Sequence, residues 1–141
     1  MNKSPSSPVT SATILIVEDN ELNRDMLSRR LERKGYTVVM AMDGQQGVEM
    51  AASEAPDLIL CDVMMPELDG YGVLQSLQTE PALAHIPFIF LTAKGEKDDL
   101  RSGMDLGADD YLTKPVANAD LVRAIEEIGR ASRRERVSSV V

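Results

Sequence analysis

The tightest constraint in this chain is a set of four-residue runs with no polar member, each followed at once by a polar residue. Ile14-Leu15-Ile16-Val17 runs into Glu18-Asp19, Leu58-Ile59-Leu60-Cys61 into Asp62, and Phe88-Ile89-Phe90-Leu91 into Thr92. Four residues are too few for a helix. A run that is apolar at every position has no face to offer water, so these segments read as strands covered on both sides, as in a parallel sheet. Residues 37–41 and Tyr111-Leu112-Thr113 add two more strands, the last followed by Lys114-Pro115.

Between the strands the period changes. In residues 20–34, Leu22, Met26, Leu27 and Leu31 recur at helical spacing among Glu, Arg and Lys, and Gly35 offers a C-cap. Helices are expected at 44–55, ended by Pro56, at 71–79, and at 97–106, stopping before Gly107. Asn118 can N-cap a last helix with Leu121, Val122, Ile125 and Ile128 on one side. Five such strand–helix units predict an α/β fold: a doubly wound five-stranded parallel sheet with helices on both faces, joined by right-handed crossovers. The second strand ends without an acid, which suits an outer position. The expected organisation is a flexible tail over 1–12, one domain over 13–130, and a C-terminal tail or linker start over 131–141.

The bulk numbers agree. A length of 141 residues fits one domain, and 43% hydrophobic with 27% charged residues suffices for a core. With two Phe, three Tyr and no Trp that core is aliphatic, and the eight Met read as filling. A formal charge of −8 repels nucleic-acid phosphates and anionic membrane surfaces, so direct nucleic-acid binding is not expected. Cys61 is the one cysteine, which excludes a disulfide within the chain; it reads as a buried, inert thiol in a reducing compartment. No apolar run approaches the ~18 residues of a membrane span, and residues 1–11 lack a signal-peptide core, so membrane insertion is not expected and cytoplasmic is the expected location.

In open parallel sheets ligands sit beyond the C-terminal strand ends. There the chain places Glu18, Asp19, Asp62, Thr92 and Lys114. Each alone has an ordinary reading: an acidic helix start, a turn residue, a surface hydroxyl, a surface ammonium. Their joint placement at four strand ends points to a site. Three clustered carboxylates repel one another, and a hard divalent cation relieves that. Mg²⁺ prefers few carboxylates, several waters and phosphate oxygens, so the cluster reads as Mg²⁺ plus a phosphoryl group. Carboxylates accept phosphoryl groups as aspartyl phosphates, and such transfers depend on positioning and charge neutralisation. Lys114 would neutralise phosphoryl oxygens, and Thr92 would donate a hydrogen bond to one. His85, lying between Ala84 and Ile86, reads as a loop residue. Arg130, Arg133, Arg134 and Arg136 read as a solvated helix face.

These pieces together resemble the receiver domain of two-component response regulators, a CheY-like, flavodoxin-like fold. The resemblance spans about residues 12–130. It rests on Val17-Glu18-Asp19-Asn20, the stretch from Asp57 through Asp62 to Pro66, Asp69-Gly70, Leu91-Thr92-Ala93-Lys94, Gly107-Ala108-Asp109-Asp110-Tyr111 and Thr113-Lys114-Pro115. It implies that Asp62 is the phosphoacceptor, served by Thr92 and Lys114. It implies Mg²⁺ held by Asp19, Asp62 and the Met64 carbonyl, with Glu18 acting largely through water. Glu18 departs from the commoner Asp; it keeps the charge and adds a methylene. Pro115 would follow a cis peptide. Tyr111 would be an aromatic switch that turns inward as Thr92 moves, reshaping the face of the fourth helix, fifth strand and fifth helix. Met64 and Lys94 occupy the two positions that tune phosphoryl lifetime.

The implied partners are a sensor histidine kinase or histidine phosphotransfer protein and a downstream effector, with phosphorylation-dependent homodimerisation as a further output. The implied chemistry is self-catalysed transfer with slow autodephosphorylation, not metabolic turnover. The alternative is a receiver module of a longer regulator or hybrid histidine kinase. Small α/β enzymes fit less well. A dehalogenase-type phosphatase needs an acid two residues after its nucleophile, where Met64 stands. An FMN binder needs a Ser/Thr/Gly-rich loop where Glu18-Asp19-Asn20-Glu21 stands, and P-loop and dinucleotide glycine motifs are absent.

Overall fold

The computed structural model describes residues 12–93 and 105–128. Five strands, β1 (Thr13–Val17), β2 (Thr37–Ala41), β3 (Leu58–Asp62), β4 (Phe88–Thr92) and β5 (Asp110–Thr113), form one parallel sheet in the order β2-β1-β3-β4-β5. The acid-free β2 is an edge strand, as expected. Helices α1 (Glu21–Arg33), α2 (Gly44–Glu54) and α3 (Gly70–Gln78) follow the first three strands, and a last helix occupies residues 118–128. The helix expected at 97–106 lies outside the described residues except for its final positions. So do Lys94, most of the N-terminal tail and the arginines after residue 129.

The two-residue strand period sorts the core into two layers. Ile14, Ile16, Leu58, Leu60, Ile89, Leu91 and Leu112 pack with Leu27 and Leu31 of α1 and with Leu121, Ala124 and Ile125 of the last helix. Leu15, Val17, Ile59, Cys61, Phe88 and Phe90 pack with Ala51 of α2 and with Val73, Leu74 and Leu77 of α3. The sheet is thus covered on both faces, and β3 and β4 are buried at all five positions. This is why the first four positions of each are apolar.

Each described helix start has a local cause. The side chains of Asn20, Asp43 and Asp69 accept backbone N–H bonds from Asn23, Gln46 and Gly72, closing α1, α2 and α3. Two expectations change. Leu22 and Met26 are 70% and 57% exposed, so α1 buries only its second half, at Leu27, Ser28 and Leu31. Asn118 is the first helical residue rather than the cap. The Ala117 carbonyl accepts the Leu121 N–H, and the Asn118 side chain is engaged by Arg30.

Candidate functional site

The strand period also decides where the polar residues fall. Continuing the α1-side sequence past Ile14 and Ile16 reaches Glu18, past Leu58 and Leu60 reaches Asp62, and past Leu112 reaches Lys114. The three meet at the C-terminal edge of β1, β3 and β5. The Lys114 Nζ lies 3.0 Å from Glu18 Oε1 and 3.0 Å from Asp62 Oδ1, bridging two acids that are almost wholly buried. Asp19 is exposed beside them, and carboxylate oxygens of Glu18, Asp19 and Asp62 all lie within 4.8 Å of one another.

Backbone contacts hold these side chains in place. The Glu18 N–H donates to the Ala41 carbonyl at 3.2 Å, and the Asn20 N–H donates to Glu18 Oε2 at 3.1 Å. The Lys114 N–H donates to the Thr92 carbonyl at 2.7 Å, and Lys114–Pro115 is cis. Thr92 is buried at the end of β4. Beyond Asp62 the loop turns back so that the Gly70 N–H donates to the Val63 carbonyl at 2.9 Å. A Cβ on Gly70 would lie 2.5 Å from the Asp62 carbonyl oxygen and 2.9 Å from Val63 Cα, so only glycine lets α3 start this close to β3. Met64 is exposed on this loop, and Tyr111 is 41% exposed on β5.

Burial, then the charges of Glu18 and Asp19 against the pull of Lys114, push the Asp62 carboxyl up to about 6. Burial opposes the Lys114 charge, but hydrogen bonds and attraction from Glu18 and Asp62 outweigh it and hold the ammonium above the usual lysine value. Burial, then the negative charge of Asp62, Glu18 and Asp69, pushes the Cys61 thiol well up, so it stays protonated. The donor set fits Mg²⁺: three hard oxygen ligand groups are crowded enough to raise one member's pKa, and a divalent cation would reverse that crowding.

Two arginines that the sequence reading did not single out, Arg24 and Arg30, touch this site's supports. The Arg24 NH1 donates to the Glu18 carbonyl at 2.9 Å. Arg30 donates from NH2 to the Val116 carbonyl at 2.6 Å and from Nε to Asn118 Oδ1 at 2.5 Å. Both sit on α1, whose i, i+3 and i+4 spacing had been read for apolar contact alone.

A parallel five-stranded sheet with an acidic cluster and Lys114 at its C-terminal edge defines the class, and the comparisons agree. The family model described as the response regulator receiver domain matches residues 14–126. The chain belongs to this family, the receiver domains of two-component response regulators. It is 42% identical over 119 residues to the alkaline phosphatase synthesis transcriptional regulatory protein PhoP of Bacillus subtilis, covering 84% of this chain and 49% of that protein. It is 41% identical over 120 residues to the response regulator PleD of Caulobacter vibrioides, covering 85% of this chain and 26% of that protein. The chain therefore spans half or less of the length of these curated relatives. Among solved structures, the receiver domain of the sensor histidine kinase PA1611 from Pseudomonas aeruginosa is 34% identical with a TM-score of 0.77, covering 83% of this chain and 96% of that one. That structure has a magnesium ion coordinated in its active-site cleft. In the present chain no helix among the described residues is long and apolar enough to cross a membrane.

Proposed function

We propose that Asp62 accepts a phosphoryl group from a phosphohistidine of a sensor kinase or phosphotransfer protein. The observation that supports this best is the single ammonium of Lys114 bridging the buried carboxylates of Glu18 and Asp62 at 3.0 Å each, beside Asp19. An Asp62 carboxylate oxygen attacks phosphorus, and the phosphorus–nitrogen bond breaks with its electron pair leaving on the imidazole. Lys114 moves from pairing carboxylate to pairing a phosphoryl oxygen, and the Thr92 hydroxyl donates to another. Asp19, Asp62, the Met64 carbonyl and, through water, Glu18 would hold Mg²⁺, which supplies charge neutralisation of the phosphoryl oxygens. Water later attacks phosphorus and returns the free carboxylate, the slow self-dephosphorylation that ends the signal.

The readout is a two-state change biased by the added charge. Thr92 moves toward the phosphoryl group and Tyr111 turns inward from its exposed position, with Pro115 shaping the loop between Lys114 and the last helix. The altered face binds a downstream effector or a second copy of the chain. Where the chain forms part of a longer regulator or hybrid kinase, the same face acts on the attached domain. Intact mass after incubation with acetyl phosphate tests the chemistry. The expected gain is one phosphoryl group, needing both Mg²⁺ and Asp62; an equal gain in Asp62→Asn sinks the assignment.

A further inference from the structure

We infer that Arg30, on α1, is a positioning residue for Lys114, an inference that rests on the phosphoacceptor reading of Asp62. The segment from Lys114 to Asn118 leaves the end of β5 and must hold its lysine over Glu18 and Asp62. At its start the Lys114 N–H is tied to the Thr92 carbonyl on β4. At its far end two donors of one guanidinium hold it, one on the Val116 carbonyl and one on the Asn118 side chain. A planar, always charged fork gripping two acceptors fixes direction as well as distance, which a flexible lysine does not.

The anchor is stiff because α1 is. Its C-terminal half is packed through Leu27 and Leu31, both buried under the sheet in the same layer as the half-buried Val116. The same helix reaches the other partner of the lysine: Arg24 donates to the Glu18 carbonyl. One rigid element therefore sets both the loop that supplies Glu18 and the loop that supplies Lys114. Freed from Arg30, the 114–118 segment keeps its tie to β4 and the packing of Val116 but loses the two bonds that fix its polar atoms, and the ammonium is held less closely between the two carboxylates.

The test is a double-mutant cycle on the phosphorylation rate of Asp62 with acetyl phosphate at saturating Mg²⁺, using Arg30→Ala, Lys114→Ala and the pair. Arg30→Ala should slow the wild-type background by about tenfold, inside the ~10²-fold that a 1 Å misplacement costs. In the Lys114→Ala background it should change the rate by less than about twofold, because the group it positions is gone. Asn118→Ala, which keeps the Val116 contact, should have a smaller effect than Arg30→Ala. Equal slowing in both backgrounds means a general structural role and overturns the inference, as does no slowing in either. Nitrogen-15 spectra of the Lys114 ammonium give a reading that does not need phosphorylation: its signal should be resolved in the wild type and merge with the solvent-exposed lysines in Arg30→Ala. If the wild type takes no phosphoryl group yet this signal is lost in Arg30→Ala, the phosphoacceptor reading fails and the positioning role stands. A signal unchanged in Arg30→Ala overturns the positioning role.

Discussion

Replacing Gly70 by alanine should damage the site without touching any group that does chemistry. The added Cβ would sit 2.5 Å from the Asp62 carbonyl oxygen. Reaching ordinary van der Waals contact requires the start of α3 and the end of β3 to part by about 0.9 Å. Both neighbours are backbone atoms, and Asp62 closes a strand buried at every position, so no side-chain rotation can absorb the shift. Overpacking of this kind costs about 1–3 kcal/mol, a fall of roughly 3–10 °C in Tm for a chain of this size. A displacement near 1 Å at the phosphoacceptor lowers the phosphorylation rate by about 10–100-fold, or about 1.4–2.7 kcal/mol of barrier. Gly72→Ala is the control, because the one close approach of its Cβ would be to Cδ1 of Leu68, the far end of a flexible side chain, with Leu68 Cγ at 3.4 Å and Asp69 Oδ1 at 3.5 Å. The assay is the time course of mass gain with acetyl phosphate and Mg²⁺, with thermal melts on the same samples. A folded Gly70→Ala protein that is phosphorylated within about twofold of the wild-type rate refutes the reasoning.

Four further outcomes are expected. Because the folded Asp62 pKa is raised to about 6 from 3.8, the folded state holds this proton more tightly than the unfolded chain; the group therefore favours folding at low pH, and that contribution is lost as pH rises through 4 to 6. Melts at pH 5 and pH 8 should show Asp62→Asn gaining on the wild type at the higher pH. Mg²⁺ should raise Tm, by the equivalent of about 2.7 kcal/mol at a hundredfold excess over its Kd, and by clearly less in Asp19→Asn. Cys61, buried with its thiol pKa raised, should resist thiol reagents in the native protein and react only on unfolding, as absorbance with a chromogenic disulfide would report. Ala55 holds a left-handed backbone (φ 46) at the end of α2, so Ala55→Gly should raise stability by about 0.5–1 kcal/mol in denaturant titration.

Strand positions were legible because β1, β3 and β4 are covered on both faces and each carries four successive apolar residues. The site was legible for the same reason. Glu18, Asp62 and Thr92 are the first polar residues at or just past the C-terminal ends of their apolar runs and are still buried there, and Lys114 follows the end of β5. What escaped the sequence depends on reach rather than on period. Leu22 and Met26 have helical spacing, but α1 buries none of its first turn and leaves them exposed. Arg24 and Arg30 look like solvated helix residues until the tertiary packing shows which carbonyls their long side chains meet. Asn118 has cap chemistry, yet its oxygen serves a guanidinium 88 residues earlier in the chain. Asp57 likewise spends its carboxylate on the Thr13 N–H, a link between strand starts that no local rule suggests.

The close approach of the α2 and α3 starts to the loop after Asp62 has a consequence for anyone who builds with this fold. A Cβ on Gly44 would collide with the backbone of Leu68, and one on Gly70 with the backbone of Asp62. The Asp62 loop is thus clasped between two helix starts, each stripped to hydrogen at the point of contact. A chimera that transplants the stretch from Asp62 to Asp69 alone would set it against whatever side chains the host supplies at those two positions. The transferable unit is the loop together with both glycines, two separate stretches of chain, residues 62–70 and Gly44, that have to travel as one.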